Sequence, residues 1–181
     1  MSFMKINMGC GWRNFGSDWI HIDAGAYDHL DHNSIVDLPY ENNTVDLIYA
    51  SHVLEYFDRL EVNKVLSEWH RVLKPGSTLR LAVPNFHVMA DLYLNKSVDL
   101  ERFLGPMYGK MDMSSETIYH KTVYNFKSLK TVLEKNSFKD IKEYDWRNTD
   151  HSHHDDHSQA YIPHMDKENG TLISLNVECK K

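Results

Sequence analysis

The sequence predicts an α/β fold built on a mostly parallel sheet. Three observations carry this. Short apolar runs bounded by turn residues come first, stretches of helical periodicity alternate with later runs, and no internal repeat or Pro/Gly/Ser linker divides the chain. A chain of 181 residues suits one domain, 1–181, long enough to bury a real core.

The first strand is predicted at 5–8 (KINM) and the second at 19–23 (WIHID); SIV at 34–36 and VDLIYA at 45–50 read as two more. Between 58 and 76, Leu60, Val62, Val65, Leu66, Trp69, Val72 and Leu73 recur near helical spacing. Asp58 and Glu61 there have capping-box spacing, and Lys74-Pro75-Gly76 stops the helix. TLRLAVP (78–84) reads as a strand, residues 85–109 as helix with a break, and 126–138 as a helix with Asn125 as its cap and Asn136 near its end. IKEYDW (141–146) and TLISLNVEC (171–179) read as closing strands.

The first four predicted strands are joined by GWRNFGSD, AGAYDHLDHN and DLPYENNT, all short for a packed crossover helix. The N-terminal half is therefore expected to carry fewer helices than a parallel sheet needs on its two faces. Trp12, Phe15, Tyr27 and Leu30 can cover part of it, and so can 147–170 if that segment folds back. Apolar surface left over would seek a partner, the reason to expect a homodimer or a docked partner protein.

The net charge is −6 and no Lys/Arg block stands out, which argues against nucleic-acid binding. The cysteines are two, Cys10 and Cys179, which gives no disulfide framework and fits a reducing compartment. MSFMKINMGC lacks the apolar stretch of a signal peptide, and no apolar run is long enough to cross a bilayer, so the expected location is the cytoplasm.

In such a sheet, ligands bind at the carboxyl ends of the strands. The residues just past each predicted strand are Gly9-Cys10-Gly11, Asp23, Asp37-Leu38-Pro39, Ser51-His52-Val53 and Pro84-Asn85. Close glycines let a backbone approach a ligand. One carboxylate can accept both ribose hydroxyls and a second can receive an adenine amino group, so the set suits a nucleoside. Apart from Arg13, no basic residue follows Gly11 closely, so a diphosphate is not clearly served, and the glycine spacing is wrong for a hydride-transferring dehydrogenase.

INMGCG with WIHID, VDLPYENNTVDLIYASHVLEYF, EWHRVLKPGSTLRLAVPNF and HKTVYNFKSLKTVLEKNSF resemble a class I S-adenosylmethionine-dependent methyltransferase, of the small type 11-like kind. The resemblance covers nearly the whole chain. It implies a Rossmann-like sheet with one antiparallel strand near the C-terminus, and S-adenosyl-L-methionine as cofactor. By resemblance, Gly9, Cys10 and Gly11 approach the methionine part, Asp23 holds the ribose, Asp37 and Leu38 hold the adenine, and Ser51 and His52 line the methionine side. The family often has His where Tyr56 stands, a second Gly where Ser77 stands, and a long helix where WRNFGSD is too short for one.

Methyl transfer from a sulfonium is a displacement that needs alignment and, for some acceptors, a base. His52, Glu55, His87 and His120 are the base candidates, and spacing alone does not choose among them. The acceptor is expected to be a small molecule, a sugar or a glycan. Two rivals stand beside this reading: a cofactor-binding scaffold without catalysis, and a metal-binding module using His151, His153, His154, His157 and His164 of the 151–164 loop. No helical i, i+4 pair or CxxC frames that loop, so a polar surface connection without metal is preferred for it.

Overall fold

The computed structural model describes residues 3–113 and 116–181. Its centre is a six-stranded sheet in the order β2-β1-β3-β4-β10-β7. The strands are β1 (Lys5–Met8), β2 (Ile20–Ile22), β3 (Val45–Ser51), β4 (Leu73–Pro84), β7 (Lys139–Glu143) and β10 (Ser174–Lys180). β2, β1, β3 and β4 run parallel, while β10 is antiparallel to both β4 and β7. The expected sheet, with one antiparallel strand near the C-terminus, is the one observed.

Side chains alternate across a strand, so each strand feeds two faces. Ile6, Met8, Ile48, Ala50, Leu79, Leu81, Val83, Leu175 and Val177 form the apolar face. It is covered by α1 (Glu61–Val72) through Val62, Val65, Leu66, Trp69 and Val72, and by α4 (Phe126–Lys135) through Leu129 and Leu133. Each such buried side chain contributes about 1.5–3 kcal/mol. Both helices begin as their sequences predict. Asp58 Oδ1 accepts from Glu61 N–H at 2.8 Å while Glu61 Oε2 accepts from Asp58 N–H at 2.9 Å, and Asn125 with Ser128 forms a capping box. Residues 85–109 break at Ser97 into α2 (Phe86–Lys96) and α3 (Glu101–Tyr108).

The opposite face is polar. His21, Asn7, Tyr49, Arg80 and Glu178 lie in register as one row across five strands, and His21, Asn7 and Tyr49 are buried. Among the described residues no helix covers this row. Phe15 and Trp19 of the β1–β2 connection cover part of it, and the strap 144–162, folding back from β7, covers the rest. Tyr49 donates to Asp156 Oδ2 at 2.5 Å, and Asn176 Nδ2 donates to the Ser158 carbonyl at 2.9 Å. The His151 ring lies 3.9 Å from that of Tyr49, and His154 stacks on Phe15 at 4.1 Å. Two 3-10 turns, Trp146–Asn148 and His157–Gln159, shape the strap, and β8 (Tyr161–Ile162) pairs with β9 (Thr171–Leu172) at its end. A further small antiparallel pair is formed by β5 (Met111–Met113) and β6 (Glu116–Ile118).

Four expectations about strand placement change. Residues 34–36 are not a strand; a lone bridge between Ile22 and His32 marks that edge, and Ser34 Oγ accepts from the Val36 and Asp37 amides, which bends the chain. β4 begins at Leu73, straight from α1, with its register shifting along β3. β7 lies two residues earlier than read, and the 171–179 run is split at Ile173 between β9 and β10. The expectation of a homodimer rested on thin cover over the first strands. The strap supplies that cover from the same chain, with Phe15 and Trp19 buried and Trp12 left outside.

Asp156 is buried and accepts from both the Tyr49 hydroxyl and the Ser158 amide. Asp156→Ala strands both donors and is expected to cost about 1–3 kcal/mol in urea unfolding. The Tyr49→Phe/Asp156→Ala pair should cost less than the sum of the singles. Additive costs would show that the strap docks by other contacts.

Candidate functional site

The carboxyl ends of β1 to β4 converge on one edge of the sheet. β1 leads into Gly9 and Gly11, both left-handed at φ 66° and 58°. A Cβ on Gly9 would sit 2.3 Å from Val53 Cγ2, so only glycine lets this turn pack beneath the β3 exit. Around Gly11 no atom beyond its immediate chain neighbours lies within 4 Å of the place a Cβ would take, which leaves that side of the turn open. The Gly9 amide donates to the Ile22 carbonyl at 2.7 Å, which ties the turn to the end of β2. Asp23 follows, its Oδ2 accepting from the Gly11 amide and its Oδ1 from the Gly25 amide, each at 2.7 Å. Each oxygen keeps a further lone pair.

Cys10 is buried between these glycines, with its Sγ 3.7 Å from His29 Nε2. Burial pushes its thiol up to about 12, which makes it an inert filler rather than a nucleophile. Asp37 is exposed and its amide is held by Ser34 Oγ at 3.1 Å. Leu38 is buried and its amide donates to Glu68 Oε1 at 2.9 Å, so of this pair the Asp37 carboxylate is the group turned to solvent.

β3 ends at Ser51, whose buried hydroxyl has no hydrogen-bond partner. His52 follows in a left-handed conformation, φ 55°, rare outside glycine and common at functional turns. The 3-10 turn Leu54–Tyr56 then buries Glu55 completely. His52 Nδ1 lies 3.5 Å from Glu55 Oε1, and His120 Nε2 lies 3.8 Å from the same oxygen. His120 is delivered by the segment after β6, held by its Nδ1 against the Pro106 carbonyl at 3.0 Å and edge-on to Tyr56 at 4.6 Å. An imidazole thus reaches Tyr56 from elsewhere in the chain. The structure brings together His52, Glu55 and His120, while His87 sits exposed on the first turn of α2.

The histidines of the 151–164 loop go to separate places. His151 is buried against Tyr49 with Arg80 Nη1 3.4 Å away, His154 lies on Phe15, and His153 and His164 are exposed. His157 comes within 5.0 Å of the His52 ring. Among the described residues no three His, Cys, Asp or Glu side chains are placed to share a metal ion. Sequence reading missed two contributions to the site, one from the strap and one from β10: Arg13 Nε donates to the Asp155 carbonyl at 2.9 Å, and Ser174 Oγ lies 3.4 Å from His52 Nε2. The signal for the second was present in SLNVEC, where Ser174 and Asn176 share one face of an otherwise apolar strand.

Burial pushes the Glu55 carboxyl up to about 8 and holds His52 and His120 below the ordinary imidazole range. Folded Glu55 keeps a proton that the unfolded chain loses, so its contribution is complete at low pH and is lost as pH rises through about 8. The histidines work in the opposite sense, and only below the ordinary value of 6.5. Between pH 6.5 and 8 the unfolding free energy should therefore fall by about 2 kcal/mol relative to Glu55→Gln, as read by urea denaturation. A difference that stays flat over this range would contradict a protonated Glu55.

Residues 21–81 match the model of a family described as a methyltransferase domain. No curated protein sequence matches the chain significantly. Among solved structures, a SAM-dependent methyltransferase from Archaeoglobus fulgidus is similar with TM-score 0.59 at 15% identity, over 99% of this chain and 86% of the other. An S-adenosylmethionine-dependent methyltransferase from Mesorhizobium loti gives TM-score 0.53 at 16% identity, over 99% and 91%. The 1,6-didemethyltoxoflavin-N1-methyltransferase of Burkholderia thailandensis, solved with 1,6-didemethyltoxoflavin and S-adenosylhomocysteine, gives TM-score 0.56 at 11% identity, over 98% and 70%. Residues 21–81 thus match a methyltransferase-domain family in sequence, and across its described length the chain has the fold of S-adenosylmethionine-dependent methyltransferases.

Proposed function

We propose that the protein methylates a small-molecule, sugar or glycan-type acceptor, using Gly9, Cys10, Gly11, Asp23, Asp37, Leu38, Ser51 and His52 to hold the cofactor and His52, Glu55 and His120 to take the acceptor's proton. The observation that carries this is the buried His52–Glu55–His120 cluster, packed through Val53 against the Gly9 turn at the carboxyl edge of the sheet.

The residues fit S-adenosylmethionine on three counts. The space at Gly11 is open, the Ser51 hydroxyl is buried without a partner, and Asp23 and Asp37 offer carboxylate lone pairs at the ends that suit ribose hydroxyls and an adenine amino group. When bound, the cofactor supplies a methyl group on a sulfonium that departs as a neutral thioether. The chain has no acid to provide for that departure. Its tasks are to orient the acceptor and to remove a proton from it. Net charge −6 disfavours a polyanionic acceptor. The Burkholderia neighbour was solved with 1,6-didemethyltoxoflavin bound, which supports an acceptor of modest size. No helix among the described residues is long and apolar enough to cross a membrane. The free, buried Cys10 and Cys179 fit a cytoplasmic location.

Titration calorimetry with S-adenosylhomocysteine should show binding to the folded protein. Asp37→Ala, which removes an exposed carboxylate and little else, should weaken binding by about tenfold. Asp23→Ala should weaken it more, by about 1–3 kcal/mol, because the same carboxylate also holds the Gly11 amide. A folded sample that shows no binding at millimolar cofactor would overturn the reading. Binding without methyl transfer to a panel of hydroxyl and amine compounds would favour a non-catalytic scaffold.

A further inference from the structure

The direction of each hydrogen bond around Glu55 can be followed inward from two backbone carbonyls, which only accept. At one end the Ser158 carbonyl of the strap takes a hydrogen bond from Asn176 Nδ2 at 2.9 Å, which fixes that amide. Asn176 Oδ1 then accepts from the Ser174 hydroxyl at 3.1 Å. With its proton so used, Ser174 Oγ offers a lone pair to His52 Nε2, 3.4 Å away. His52 therefore carries its proton on Nε2, and its Nδ1 faces Glu55 Oε1 as a bare lone pair at 3.5 Å. At the other end the Pro106 carbonyl accepts from His120 Nδ1 at 3.0 Å. His120 Nε2 then faces the same Glu55 oxygen, also bare, at 3.8 Å. An ionised Glu55 between two neutral imidazoles would set three lone pairs against one another in a fully buried site.

We propose that at neutral pH this cluster holds one proton, on Glu55, between two imidazole nitrogens that can each receive it, and that Ser174 and Asn176 are positioning residues that set the His52 tautomer from the strap. One nitrogen is thereby left vacant for one more proton. Uptake of that proton breaks an O–H or N–H bond of the acceptor and leaves Glu55 as a carboxylate between two imidazolium N–H donors, taking the cluster from neutral to a single positive charge. This gives the substrate class. The acceptor is one that must lose a proton on methylation, a hydroxyl or an amine bearing hydrogen, rather than a thioether or a tertiary amine. That last step rests on the methyl-transfer reading; the proton pattern does not.

The groups facing Glu55 agree. They are His52 and Tyr56 from its own turn, and His120 and Tyr124 from the segment before α4. His157 of the strap stands behind His52. Lys121, next to His120 in the chain, turns its Nζ to Glu61 at 2.9 Å instead, and Arg59, four residues after Glu55, is exposed. Among the described residues no Lys or Arg pairs with Glu55; its ionisable contacts are the two imidazoles. Burial raises its carboxyl and lowers both imidazoles, in the same direction as the hydrogen-bond pattern.

The experiment uses the full chain without cofactor. The infrared difference spectrum between the protein and Glu55→Gln at pH 7 should show the carbonyl stretch of a protonated carboxylic acid, lost in the variant. Nitrogen-15 spectra of the wild-type histidines should show His52 as the Nε2–H tautomer and His120 as the Nδ1–H tautomer. Ser174→Ala should turn His52 into a mixture of tautomers and leave His120 unchanged, whereas a merely structural serine would lower stability and leave both alone. A carboxylate band with an imidazolium signal from His52 or His120 would overturn the proposal, and these wild-type spectra decide it even if the variants fail to fold. Binding of S-adenosylhomocysteine is read on the same sample. Expected spectra without binding would sink the methyl-transfer reading and spare the cluster; binding with an ionised Glu55 would do the reverse.

Discussion

The rest of the structure depends on a polar row crossing one face of a buried sheet. His21, Asn7, Tyr49, Arg80 and Glu178 stand side by side, and buried polar groups must find partners. An apolar helix laid on this row would leave the Tyr49 hydroxyl without a partner and the Arg80 guanidinium with Glu178 alone. A strap rich in Asp, His and Ser can bond to the row, and that is what covers it. Asp156 meets Tyr49, Glu178 and Asp150 flank Arg80, and Lys5 reaches Asp150 at 3.2 Å. The short connection after β1 is permitted for the same reason, since the strap does the work of a crossover helix.

The strap couples the fold to the site at two places. Through Arg13 and the Asp155 carbonyl it steadies the chain just past the glycine turn. Through Ser158, Asn176 and Ser174 it reaches His52. The site itself rests on backbone conformations that most residues avoid: Gly9, Gly11 and His52 all have positive φ. For His52 that costs about 1–2 kcal/mol, and the surrounding sheet holds it there. A left-handed residue at the end of β3 turns the chain sharply enough to bring Glu55 beneath it.

Much of this was legible in the residues, because period and punctuation are local. KINM is the first strand residue for residue, and the Asp58/Glu61 and Asn125 caps are formed as their spacing predicts. The misreadings have nonlocal or competing causes. Residues 34–36 have strand-forming side chains, but the Ser34 hydroxyl takes the next amides and bends the chain away. The 171–179 run looked continuous because its residue types suit a strand throughout, yet the Ile173 amide donates to the Ala160 carbonyl and sends Thr171–Leu172 to a different partner. The glycines and acids at the strand exits were visible as a set. The joining of His120 to His52 and Glu55 was not, since 65 residues separate Glu55 from His120 and only the closed fold brings them together. The histidine-rich loop was the least legible part. Composition marks it as polar, and only the sheet's own polar row explains why it is folded down rather than solvated.

Hydrogen–deuterium exchange of the free protein tests the central claim that the strap is an integral cover of the sheet. Amides of 151–160 should exchange nearly as slowly as those of β3, and Tyr49→Phe should loosen the strap and the 9–13 turn together. A strap that exchanges as freely as a surface loop, over a β3 that stays protected, would contradict the account.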